Sequence, residues 1–328
     1  MDCAPSPPTW VVRLLLRTTG GGTIEVSLTA EEAVMDAHVV VGYDGSPESV
    51  AAVRWAAGAA RRRGMPLQVV HVWGLAGHLD TPPLRATSAY VRAGAQEVAE
   101  EGAQIARAAA PDIEVTGVLD DGPPARALVD RAAHAALIVL GRHGAARLSG
   151  VLLGSVALGT LQHAPCPVVV VPRTDGDRAP TGLVVVGVDG SRHALGAVDA
   201  AGRYAAGADA HVRVVACWQV PVHGRSLMAW LREFPEVPPE DLAVQAAERA
   251  LEGARALITE RYPQVEVELL VEEGPTARVL ARHAEKADLL VVGTRGRGGL
   301  AGLVLGSVSQ WLVARAACPV AVSRTVPD

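Results

Sequence analysis

The stretch Val39-Val40-Val41-Gly42-Tyr43-Asp44-Gly45-Ser46 is a short run of β-branched apolar residues closed by a turn and a serine that can start a helix. It returns as Val184-Val185-Val186-Gly187-Val188-Asp189-Gly190-Ser191. Reading outward, Val69-Val70-His71-Val72-Trp73 recurs at the same offset as Val214-Val215-Ala216-Cys217-Trp218. Asp121-Gly122-Pro123-Pro124-Ala125-Arg126 answers Glu273-Gly274-Pro275-Thr276-Ala277-Arg278, and Leu137–Gly141 answers Leu289–Gly293. Cys166-Pro167-Val168-Val169-Val170 closes the first copy as Cys318-Pro319-Val320-Ala321-Val322 closes the second, which carries a few extra residues around Arg232-Glu233-Phe234-Pro235. So long a period with so few copies is a duplicated domain, not a solenoid. The polar stretch Arg173–Arg178 reads as linker, giving domains over residues 37–173 and 182–325 joined by residues 174–181.

Within each copy, apolar runs alternate with segments of helical periodicity. Ser46-Pro47-Glu48 supplies a cap, a first-turn proline and an acid at a helix start, and Arg63-Gly64 ends that helix. A strand follows at Leu67–Trp73, a helix over roughly Ala93–Ala109, a strand near Val115–Leu119 and a helix from Pro124 to Ala133. Then come a strand at Leu137–Leu140, a glycine loop, a helix from Ser155 and a strand at Val168–Val171. Strands that read as unbroken apolar runs are covered on both faces, and right-handed crossovers make such a sheet parallel and doubly wound. The expected class is α/β, with two Rossmann-like five-stranded parallel sheets in tandem. Ligands bind such sheets beyond the carboxyl ends of the strands, where strand order reverses. Residues 1–36 have no counterpart in the second copy; Trp10–Thr18 and Thr23–Leu28 read either as a small hairpin or as part of an unstructured leader.

The chain has 328 residues, 49% hydrophobic and 20% charged, enough to fill two cores and too apolar for wholesale disorder. A net charge of −5 argues against nucleic-acid binding, which needs a basic footprint. No apolar run is long enough for a membrane helix, and the start lacks a basic segment followed by an apolar one, so neither a membrane partner nor a signal peptide is expected. Four cysteines without a CxxC pair suit a reducing cytoplasm better than a disulfide framework. No histidine recurs at a shared position, so no metal site is expected. Lys286 is the sole lysine, which removes lysine-dependent mechanisms.

The motif that carries chemistry follows the fourth strand of each copy. Gly141-Arg142-His143-Gly144 is followed, nine residues on, by Gly154-Ser155; Gly293-Thr294-Arg295-Gly296 is followed at the same spacing by Gly306-Ser307. Glycines three apart let backbone N–H groups face inward without a Cβ in the way. The later Gly-Ser opens a helix whose free N–H groups and positive dipole end attract anions. Ser155 and Ser307 are expected to cap that helix and to offer a hydroxyl to a phosphate. Gly296–Ala301 also fits a loose G-x-G-x-x-A dinucleotide pattern, but it follows the fourth strand instead of the first; a P-loop would need Gly-Lys-Ser or Gly-Lys-Thr, which is absent.

The twofold G-x2-G-x9-G-S pattern closely resembles the ATP-binding branch of the universal stress protein family, over roughly Ala37–Arg173 and Gly182–Arg324. The resemblance implies a fold akin to the adenine nucleotide α-hydrolases, and ATP as the bound molecule, with Mg²⁺ able to accompany it. It also implies that Asp44 and Asp189 contact the adenosine end, that Val72 and Cys217 meet the adenine through the backbone, and that Leu140 and Val292 lie beside the nucleotide. Gly141, Gly144, Gly154, Ser155 and Val156, with Gly293, Gly296, Gly306, Ser307 and Val308, would cradle the phosphates. Arg142, Arg147, Arg295 and Arg297 are read either as triphosphate contacts or as solvated charges. Substituting valine at Gly144 or Gly296 is expected to obstruct the cradle and spare the fold. In the family the last strand pairs with its counterpart; here Val168–Val171 and Val320–Ser323 would pair within one chain as a pseudo-dimer, and two chains would form a homodimer. A stress-response regulator is the preferred reading, with no catalytic residues assigned; a slow ATP hydrolase and a nucleotide-free adaptor are the alternatives.

Overall fold

The computed structural model describes residues 37–73, 82–145, 152–173, 179–220, 225–234, 236–296 and 305–324. The leader at 1–36, Arg147, Arg297, linker residues 174–178 and most of the Gly296–Ala301 stretch lie outside them.

In the first repeat the elements are β1 (His38–Gly42), α1 (Pro47–Arg63), β2 (Leu67–Trp73), α2 (Pro82–Ala109), β3 (Val115–Asp121), α3 (Pro124–Arg131), β4 (Ala135–Gly141), α4 (Ser155–His163) and β5 (Val168–Val171). In the second they are β6 (Leu183–Val188), α5 (Arg192–Ala208), β7 (His211–Trp218), α6 (Arg225–Glu233), α7 (Pro239–Arg261), β8 (Val267–Glu273), α8 (Thr276–Ala284), β9 (Leu289–Gly293), α9 (Ser307–Arg315) and β10 (Val320–Ser323). The punctuation read from sequence is what bounds α1: Ser46 Oγ accepts from the Ser49 N–H, and Gly64 closes the helix in the left-handed region at φ +61°. Two elements differ from expectation. α2 begins at Pro82, a few turns before Ala93. The extra residues of the second copy include a helix, α6.

The strand order is β3-β2-β1-β4-β5-β10-β9-β6-β7-β8. Each repeat is thus a parallel five-stranded sheet, and the two join into one ten-stranded sheet through a single antiparallel pair, β5 with β10, in which Val169 faces Ala321. The join buries what would otherwise be two apolar strand edges. The all-buried Val168–Val171 run and its partner Val320–Ser323 are accordingly interior strands. Helices cover both faces, and each apolar layer runs across both repeats: Val39, Val41, Val184 and Val186 point one way, Val40, Val185 and Val320 the other.

Between α1 and α5 the repeats also meet through side chains. Trp55 stacks on Tyr204 with ring centroids 6.0 Å apart, and the Arg62 guanidinium lies 4.8 Å over the Tyr204 ring. The Asp288 carboxylate accepts from the backbone N–H groups of Thr181 (2.8 Å) and Gly182 (2.8 Å), pinning the end of the linker to the start of β9.

Candidate functional site

A doubly wound sheet leaves a crevice where neighbouring strands send their connections to opposite faces. In the first repeat that point lies between β1 and β4. β1 ends at Gly42, and the chain turns through Tyr43-Asp44-Gly45 into α1, with Gly45 in the left-handed region at φ +78°. β4 ends at Gly141. The loop after it folds back on itself, since the Arg142 N–H donates to the Val171 carbonyl (3.0 Å) and the Gly154 N–H to the Arg142 carbonyl (2.9 Å). Between these segments is a cleft of about 220 Å³. Asp44, Val72, Leu140, Gly141, Gly144, Gly154, Ser155 and Val156 all line it, together with Tyr43, Ser49, His71, Leu128, Arg142 and His143.

The glycines have separate reasons to be glycine. A Cβ at Gly141 would stand 2.8 Å from the Glu48 carbonyl carbon, so the first turn of α1 passes too close for any side chain. At Gly154 it would stand 3.2 Å from the Arg142 carbonyl oxygen. At Gly144 it would stand 2.5 Å from Asp44 Oδ2. A valine at Gly144 would meet this carboxylate, which itself lines the cleft.

Asp44 ties the two sides of the cleft together. Its Oδ1 accepts from the Ser46 N–H (3.1 Å), and its Oδ2 accepts from the Ala145 N–H (2.7 Å) in the glycine loop. Loss of hydration would raise the carboxyl, but the hydrogen bonds from Ser46, Ala145 and Ser49 outweigh it and hold the group below the ordinary aspartate value.

The serines sit one position later than expected. Gly154 is the N-cap of α4 and Gly306 that of α9, both extended; Ser155 and Ser307 are the first helical residues, and neither helix has a side-chain cap. The reason is the loop closure onto Arg142 and Thr294, which holds the preceding glycine extended. The first-turn N–H groups of α4 consequently line the cleft without a side-chain acceptor.

The second repeat repeats the loop closure. The Gly306 N–H donates to the Thr294 carbonyl (2.7 Å), and Asp189 Oδ1 accepts from the Ser191 N–H (3.0 Å). A Cβ at Gly296 would lie 2.6 Å from Asp189 Oδ2, and one at Gly293 2.8 Å from the His193 carbonyl oxygen. Cys217 and Val292 stand at the carboxyl ends of β7 and β9, and Val308 in the first turn of α9 packs on the core. Burial pushes the Cys217 thiol up to about 11, which leaves it an apolar wall residue.

Two cleft-lining positions, Tyr43 and His71, escaped the sequence reading. Tyr43 is buried, which pushes its hydroxyl up to about 12, and its carbonyl lies 2.9 Å from His71 Nδ1, so the ring N–H donates there. Their counterparts are Val188 and Ala216, so a search for what both copies share passes over them. Arg142, read from sequence either as a triphosphate contact or as a solvated charge, has a further contact. Its guanidinium donates to the Ala316 carbonyl at the end of α9, in the other repeat. Arg324 returns the contact, donating to the Leu161 (3.3 Å) and Gln162 carbonyls near the end of α4. Both cations sit where helix carbonyls and the negative dipole end favour them. Among the described residues no group of three or more His, Cys, Asp or Glu is placed to hold a metal ion, and no helix is long and apolar enough to cross a membrane.

Comparison with known proteins agrees with this architecture. The Universal stress protein family pattern matches twice, over residues 35–172 and 182–324. A universal stress protein of Mycobacterium tuberculosis is 34% identical over 303 residues, covering 87% of this chain and 96% of the relative; one from Mycobacterium bovis has the same identity and coverage. Among solved structures, a universal stress protein from Archaeoglobus fulgidus superposes with a TM-score of 0.61 at 22% identity, covering 88% of this chain and 97% of that one. With the pattern present in both repeats and the relatives aligned along nearly their whole length, this chain belongs to the universal stress protein family.

Proposed function

We propose that the chain binds ATP in the cleft between β1 and β4, and in the corresponding place between β6 and β9, as a regulatory protein whose nucleotide occupancy sets its shape or its choice of partner. The observation that carries this reading is convergence: residues from five separate segments meet at one cleft, which combines an apolar wall with a glycine loop and an uncapped helix N-terminus. Val72, Leu128 and Leu140 suit a flat heterocycle, and the N–H groups of the loop and of α4 suit a chain of phosphates. Gly154 supports the fit, since a Cβ there would intrude between the loop and the helix start. Mg²⁺ would travel with the triphosphate, held by its oxygens. Cys166, Cys217 and Cys318 form no disulfide, which supports a cytoplasmic location. A homodimer would have to use a face other than β5 and β10, because those strands are paired within the chain.

Equilibrium binding of ATP to the purified chain tests this, alongside absorbance of any nucleotide released on denaturation. The reading predicts saturable binding that depends on both loops; no affinity at millimolar ATP refutes it. Phosphate release above that of an Asp44→Ala/Asp189→Ala variant would move the chain to the hydrolases instead.

A further inference from the structure

In this structure the glycine loop already holds an anion, and the anion is the protein's own. Asp44 Oδ2 takes the Ala145 N–H at 2.7 Å and packs so closely on Gly144 that a Cβ there would stand 2.5 Å away. Its other oxygen is held by the Ser46 N–H, so the carboxylate is aimed into the loop from the β1 side. The second repeat has the same approach, with Asp189 Oδ1 on the Ser191 N–H and its Oδ2 against Gly296. An incoming phosphate oxygen would meet a fixed negative charge and would compete for a charge-assisted hydrogen bond already made.

We propose that Asp44 and Asp189 are specificity gates that close the loops to free phosphate, pyrophosphate and inorganic triphosphate. A phosphate chain enters only when it is attached to a group that gains binding elsewhere in the cleft, on the apolar wall of Val72, Leu128 and Leu140. That gain offsets displacement of the carboxylate. The inference rests on the nucleotide reading, and makes the base end, not the phosphates, the part of the ligand that is recognised first.

The test is calorimetric binding of ATP and of inorganic tripolyphosphate, in about 0.15 M salt to screen long-range charge, to the wild-type chain and to the Asp44→Asn/Asp189→Asn variant. The wild type should bind ATP and leave tripolyphosphate unbound, also in competition against bound ATP. The variant should gain tripolyphosphate affinity by roughly tenfold or more, the scale of one charge-assisted hydrogen bond. Comparable wild-type affinity for both ligands overturns the gate and leaves the nucleotide reading standing, as does a folded variant with no gain. No ATP binding by wild type, with tripolyphosphate gained by the variant, sinks the nucleotide reading and keeps the gate. Binding of neither ligand by either protein sinks both. If the variant does not fold, the wild-type competition decides alone.

Discussion

Replacing Gly141 by alanine places a methyl group 2.8 Å from the Glu48 carbonyl carbon, 2.9 Å from Glu48 Cβ and 3.0 Å from the Glu48 carbonyl oxygen. Two of these three atoms are main chain in the first turn of α1, a helix fixed by the Ser46 cap and by alanines buried along its length, so neither side of the contact can step aside cheaply. Overpacking of this kind costs about 1–3 kcal/mol. For a cooperative unit of this size that lowers the melting temperature by roughly 2–12 °C. Gly253→Ala is the matched control: in α7 the added Cβ has nothing within 4 Å, and alanine is better than glycine inside a helix by about 0.5–1 kcal/mol. The same chemical change should therefore shift stability in opposite directions at the two positions, as read by thermal denaturation followed by circular dichroism. A Gly141→Ala chain that melts at or above the wild-type temperature would refute the close approach of β4 to α1.

Arg142→Ala should lower stability by about 1.5–3 kcal/mol, the worth of a hydrogen bond to a charged group, and leave ATP affinity unchanged, because the guanidinium serves the Ala316 carbonyl; a large loss of affinity with unchanged stability would restore it as a phosphate contact. A double-mutant cycle on Trp55→Ala and Tyr204→Ala should return a coupling of about 0.5–1.5 kcal/mol from their stacking between repeats, and zero coupling in urea denaturation would contradict that packing. Asp44 is held below its ordinary value, so it contributes stability above about pH 4, the unfolded-state value, and loses it as pH falls through its folded value. The stability gap between wild type and Asp44→Asn should accordingly shrink on acidification below about pH 4, and a gap that widens there would mean the carboxylate is not tied to the loop.

Duplication made most of this fold legible. Any single valine run could be a strand or part of a buried helix, but the same order of runs, turns and glycines found twice fixes the alternation of elements. What the sequence concealed shares a physical cause: features with no local signature. Ser155 reads as a cap because serine is a capping residue, yet the cap position is set by a hydrogen bond between Gly154 and Arg142, residues on opposite sides of the loop. Arg142 looks like a phosphate ligand beside a glycine loop, and only the antiparallel joining of β5 to β10 brings Ala316 within its reach.

The repeats share a backbone device and differ in what surrounds it. Tyr43 and His71 line the first cleft and the buried acid Glu48 packs against Gly141; the corresponding places in the second repeat hold Val188, Ala216 and His193. Partial burial and the neighbouring charge of Arg295 push the His193 imidazolium below its ordinary value, so at pH 7 it is neutral, with Nδ1 3.4 Å from Thr294 Oγ1. Because Arg142 leaves the first loop to hold the end of α9, and Arg324 leaves β10 to hold the end of α4, each loop's helix is anchored from the other repeat. Two unequal repeats, each braced by the other, are what a duplicated domain yields once one sheet has fused its halves and the side chains around the loops have been free to diverge.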